Sequence, residues 1–74
     1  MAIIRNFEEL ELKANARHSE TYGGWSIQGQ DGEKFLQINT MGSADREIPG
    51  KVSQTLRLSK EAVEQLAELA RKHL

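Results

Sequence analysis

The dipeptide Asp31-Gly32 sits between two runs of alternating polarity in GWSIQGQDGEKFLQINTMG. Asp-Gly suits the type I′ turn, whose central residues both need positive φ and whose twist matches that of paired strands. A two-residue turn here places Gln30 opposite Glu33, and every later pair follows. Ile27 meets Leu36 and Trp25 meets Ile38 on one side, while Gln28 meets Phe35 and Ser26 meets Gln37 on the other. A one-residue slip would scatter the apolar residues over both sides, so this register is the expected one.

The rest of the chain has to fit around that hairpin. TMGSADREIPG reads as a loop punctuated by Gly42-Ser43 and Pro49-Gly50. A strand is expected from Lys51 to Leu58, with Val52, Leu56 and Leu58 on one side and Gln54 interrupting them. Ser59 is placed to cap a helix, with Glu61 and Glu64 near its positive end and Arg71 and Lys72 near its negative end. Ala62, Val63, Leu66, Leu69, Ala70 and Leu74 form a helical stripe suited to covering a sheet. Residues 1–19 are ambiguous. FEELELKANAR alternates like a strand over about 9–17, yet Asn6 could cap a short helix carrying Phe7, Leu10 and Ala14. The strand reading is carried forward, with another strand from about 20 to 29.

The expected fold is therefore α+β: an antiparallel sheet of about four strands with one C-terminal helix packed on it. With 74 residues, 1–74 is read as a single domain: the N-terminal segment 1–19, strands over 20–58 and a helix over 59–74. A chain near this length buries only roughly 60% of its unfolded surface. It has no cysteine, which removes disulfides and thiolate metal sites as sources of stability. Association into a homodimer is the remaining common source. No apolar run approaches the ~20 residues of a membrane span, and MAIIRNFEEL lacks the layout of a signal peptide. A soluble, cytoplasmic protein with no membrane partner is expected.

Net charge is −1 and the pI about 6.1, which weighs against a broadly basic nucleic-acid binder. The distribution is more informative than the total. Strand parity gathers Tyr22, Ser26, Gln28, Phe35, Gln37, Asn39, Met41, Lys51, Ser53, Thr55 and Arg57 on the side away from the expected core. Cations, aromatic rings, amides and hydroxyls meet there without a carboxylate. Single-stranded nucleic acid asks for such a surface: bases stack on rings and cations follow the phosphates. The competing reading is a solvated antiparallel face, with Phe35 and Tyr22 packing under another segment or a subunit.

Other chemistry has less support. His18 and His73 are isolated, without a second ligand at metal spacing, so no metal and no cofactor is expected. Ser43 and Asp45 lack the spacing of a nucleophile elbow or triad and suit turns. Gly42 and Gly50 suit positive-φ positions, since no phosphate-loop pattern surrounds them. The protein is read as not an enzyme.

Taken together, EKFLQINT and IPGKVSQTLRLSKEAVEQLAEL resemble the single-stranded-DNA-binding domain of the transcriptional coactivator family called positive cofactor four. Pro49-Gly50-Lys51, Leu56-Arg57-Leu58 and Ser59 occupy that family's corner, strand end and helix cap. The resemblance covers roughly residues 20–74. It implies four antiparallel strands and a helix, assembled as a dimer whose sheets grip extended single strands. Lys51 carries over as a backbone contact, whereas Arg57 comes from strand parity. FLQINTMGSADREIPGKVSQT is also similar to segments of small bacterial and phage proteins, which implies no activity.

The leading expectation is a homodimer that binds single-stranded nucleic acid as an accessory to transcription or replication. Lys51 and Arg57 would contact phosphates, Phe35 and Tyr22 would stack on bases, and Gln37 and Asn39 would hydrogen-bond. The alternative is a phage- or plasmid-type protein that modulates a host defence or transcription complex through a host protein partner.

Overall fold

Strand β2 (Gly23–Gln30) and strand β3 (Glu33–Met41) form the hairpin, in the register that alternation predicts: Gln30 opposite Glu33, Ile27 opposite Leu36 and Trp25 opposite Ile38. Asp31 at φ 52° and Gly32 at φ 78° supply the two positive-φ positions of the turn. The computed structural model describes residues 1–41 and 52–74, with backbone only at positions 52 and 53. The Gly42-Ser43 and Pro49-Gly50 corners and Lys51 lie outside the described residues.

Strand β4 (Val52–Leu58) lies antiparallel to β3, pairing Leu36 with Leu58, Gln37 with Arg57, Ile38 with Leu56 and Asn39 with Thr55. Gln54, the polar interruption, pairs with Thr40 at the margin, where the register then slips towards Met41 and Val52.

The N-terminal expectation needs correction. Neither a strand over 9–17 nor a helix capped by Asn6 forms; residues 5–22 carry no regular structure. Strand β1 is instead Ala2–Ile4, and it joins the far edge of β4 in parallel, pairing Ile3 with Arg57 and Ile4 with Leu58. The sheet order is β1-β4-β3-β2, so the sheet is mixed and mostly antiparallel. Propensity accounts for the exchange. Ile3 and Ile4 are β-branched, whereas 9–17 alternates through Glu, Lys, Ala and Asn, all depleted in strands.

Helix α1 (Lys60–His73) starts at Ser59, which is fully buried; its Oγ accepts the Ala62 N–H at 3.2 Å. The Ser59 N–H donates to the Ile4 carbonyl at 3.1 Å, extending the β1–β4 ladder to the cap. Further along, the Gln65 amide clasps the backbone of Phe7, accepting its N–H and donating to its carbonyl, both at 2.8 Å. Glu68 pairs with Arg71 and Lys72 on the last turns.

The core is small. Among the described residues, Phe35, Leu58, Ser59 and Ala62 are the buried ones, gathered where β3 begins, β4 ends and the first helical turn closes. The helix covers less of the sheet than its stripe predicts, for Leu66 and Leu69 each remain 38% exposed. Trp25, expected in the core beside Ile38 and Leu56, is 73% exposed, while those two are half-buried. The whole chain exposes 6710 Å², against about 4,600 Å² for a compact folded chain of 8.3 kDa. Its radius of gyration is likewise 14.4 Å, against about 11 Å for a compact chain of this length. No described helix is long and apolar enough to cross a membrane.

Candidate nucleic-acid interface

Pairing across the strands puts Ser26, Gln28, Gln37, Asn39, Thr55 and Arg57 on one side of the sheet, joined by Ile3 through the parallel edge. Arg57 organises this side. Its Nε donates to Gln37 Oε1 and its Nη1 to Gln30 Oε1, each at 2.9 Å. Gln37 in turn donates from Nε2 to Asn39 Oδ1 at 3.3 Å. Guanidinium can only donate, so both glutamine carbonyls must turn towards it. That orientation propagates: among the described residues, N–H groups of Arg57, Gln30, Gln37 and Asn39 remain available for further donation. A donor-rich row around a cation held by neutral amides is suited to phosphate oxygens and base carbonyls. Beside it lies a cavity of about 270 Å³, lined by Met1, Ala2, Ile3, Gln30, Thr55, Leu56 and Arg57.

A second cation sits on this side in a different condition. Arg5, from the segment after β1, forms a paired contact with Glu33 through Nη1 and Nη2, both at 3.0 Å. The hydrogen bond to Arg5 holds the Glu33 carboxyl below the usual carboxylate range, and the same bond raises Arg5. The expectation of a side without carboxylates is therefore corrected: Glu33 shares it and neutralises Arg5.

Phe35 also needs correction. The Arg5 guanidinium lies 5.5 Å from its ring centroid, and the residue is 3% exposed. A ring so covered offers no face to a base. Its position in β3 pointed to the polar side, but alternation is blind to cover arriving from a distant segment. Phe35 is instead the floor on which Arg5 rests.

The remaining expected residues are dispersed. Tyr22 is 63% exposed, and its carbonyl accepts the Met41 N–H at 3.4 Å just before β2 begins. Met41 stands four residues from Gln37, or about 13 Å along the strand, so Tyr22 flanks the Arg57 network without joining it. Gln37 and Asn39 are half-buried within the network itself. Lys51 lies outside the described residues. Among the described residues no group of His, Cys, Asp or Glu is arranged to hold a metal ion; His18 Nδ1 donates to the Ala16 carbonyl at 2.8 Å.

Gln30 was missed by sequence reasoning because it was read as a turn flank. Its parity with Ser26 and Gln28 was the available signal. Arg5 was missed because the N-terminal segment had been read as another structure. No family model matches the chain, and no curated protein or solved structure matches it either. The coactivator resemblance thus rests on its motif residues, of which Leu56, Arg57, Leu58 and Ser59 lie among those described.

Proposed function

We propose that the protein is a non-enzymatic, homodimeric module of the cytoplasm that binds single-stranded nucleic acid on its polar sheet side, as an accessory to transcription or replication. The observation that carries this reading is the Arg57 network. Its cation is oriented by Gln37 and Gln30, neither of which neutralises it. Holding the guanidinium in advance lowers the ordering cost of a phosphate contact. Asn39 and Gln30 offer N–H groups to base edges, and Tyr22 supplies an exposed ring for stacking. Lys51 adds a phosphate contact by its place in the family motif. Phe35 has a supporting part, fixing Arg5 at the margin.

Fluorescence anisotropy with labelled oligo-dT over a salt series tests this. Replacing Arg57 with Gln should lower affinity and flatten the salt dependence, because one phosphate contact per chain releases its counterions. An unchanged slope would remove Arg57 from the interface. A second reading draws on the exposed Trp25 side: a phage- or plasmid-type protein acting on a host complex through protein contact. It would gain if no oligonucleotide bound while Trp25 became buried on a host protein.

A further inference from the structure

The cavity beside Arg57 combines apolar walls with a polar rim. Met1, Ala2, Ile3 and Leu56 form the walls, and Gln30, Thr55 and Arg57 form the rim. Parallel pairing sets Ile3 level with Arg57, so an apolar side chain stands beside the guanidinium. Among the described residues no carboxylate lines the cavity. Glu33, the partner of Gln30 across the turn, is taken by Arg5 through two hydrogen bonds. A flat group with apolar faces and acceptors along one edge suits this combination, and an unpaired base is such a group.

The rim decides which base. Arg57 Nη1 donates to Gln30 Oε1 and Arg57 Nε to Gln37 Oε1, each at 2.9 Å. The first of these bonds holds the Gln30 amide beside the guanidinium and turns its carbonyl to the cation. What the pair then offers to a ligand is N–H from Gln30 and N–H from Arg57. A glutamine reads adenine by donating to N7 while its carbonyl accepts from the N6 amino group. Gln30 and Gln37 both have that carbonyl engaged, so adenine would set its amino group against donors. Guanine presents two neighbouring acceptors, N7 and O6, on the same edge. Thr55 fits either base, since a hydroxyl both donates and accepts.

We propose that this cavity seats one unpaired guanine, with Gln30 Nε2 and Arg57 Nη1 donating to its O6 and N7, and that it rejects adenine. Arg57 Nη2 makes neither of the two bonds to glutamine and stays for phosphate. The site rests on the proposed binding of single strands and gives that binding a base preference.

Fluorescence anisotropy with two short labelled oligo-dT strands, one carrying a single central guanine and the other a single central adenine, tests this. Both purines stack and both strands carry the same phosphates, so the comparison isolates the base edge. The guanine strand should bind about 5- to 150-fold more tightly, the worth of one good bidentate pair. A strand with 7-deazaguanine, which carries C–H in place of N7, should fall towards the adenine strand. Gln30→Leu should remove the difference yet keep the wild-type salt slope, because no charge is lost. If that variant fails to fold by circular dichroism, the 7-deazaguanine strand on the wild-type protein still decides. Salt-sensitive binding with equal affinity for guanine and adenine, or with adenine preferred, would overturn the guanine site and leave the proposed function standing. So would a 7-deazaguanine strand that binds as guanine does, or a folded Gln30→Leu protein that keeps the preference. Absence of salt-sensitive binding to every strand would overturn the function and the site together.

Discussion

Phe35→Ala separates the two roles that Phe35 could have had. The ring is 3% exposed, so truncation should leave a cavity and cost about 3–5 kcal/mol, the usual range for a buried phenylalanine. Loss of the aromatic floor under Arg5, whose guanidinium is 5.5 Å from the ring centroid, adds about 0.5–1 kcal/mol. Domains of this length hold roughly 4–11 kcal/mol in all. Urea unfolding followed by far-ultraviolet circular dichroism, at one fixed protein concentration, is the assay. With a slope of about 1 kcal/mol per molar urea, the midpoint should fall by at least about 3 M. Phe35→Leu keeps most of the volume and should cost about 1.5 kcal/mol or less, giving a graded companion. The reasoning is refuted if Phe35→Ala unfolds at the wild-type midpoint yet weakens oligo-dT binding by the ~1–3 kcal/mol of a stacked base. That pair of results would mean an exposed ring.

Three further outcomes are expected. Ser59→Ala leaves the Ala62 N–H without its cap and should cost about 1 kcal/mol, read as a fall of roughly 4–8 °C in the thermal midpoint. Gly32→Ala should cost about 1–2 kcal/mol through its positive φ alone, since nothing lies within 4 Å of the added carbon to add a clash; urea unfolding reads that cost, and an unchanged midpoint would contradict it. The depressed Glu33 carboxyl gives stability that is present above the ordinary glutamate range and lost as pH falls through the lowered folded value. An acid unfolding titration should therefore lose that component in Glu33→Gln, and identical acid limbs for the two proteins would show that the Arg5 contact adds nothing.

The parts of the fold that were legible are those set by neighbours in the chain. Alternation around Asp31-Gly32 gave the hairpin register because side-chain period and turn type are local, and Ser59 announced the helix by capping chemistry. The pairing of Ile3 with Arg57 was not legible, since a three-residue strand offers no period and its partner lies near the other end of the chain. Which residues of the two sides are buried was legible only in part. Phe35 lies on the polar side yet is buried, with Arg5, supplied from far along the sequence, over its ring. Trp25 lies on the apolar side yet is exposed, because among the described residues the helix buries only its own Ala62 and does not reach that ring. At the candidate site, Arg57, Gln37 and Asn39 were legible by parity, while Gln30, which shares that parity, was hidden by its place at the turn.

The central claim, that the Arg57 side binds single strands through phosphate contacts, meets its most direct test in the salt dependence of oligo-dT affinity. On that claim, Arg57 and Lys51 on each of two chains would give about four phosphate contacts to one strand, so log K against log salt should have a slope near −0.7 × 4, roughly −3. Arg57→Gln should bring the slope to about −1.4 while the circular dichroism spectrum stays that of the wild type. Absence of salt-sensitive binding by the folded wild-type protein, to any single strand at low ionic strength, would contradict the account.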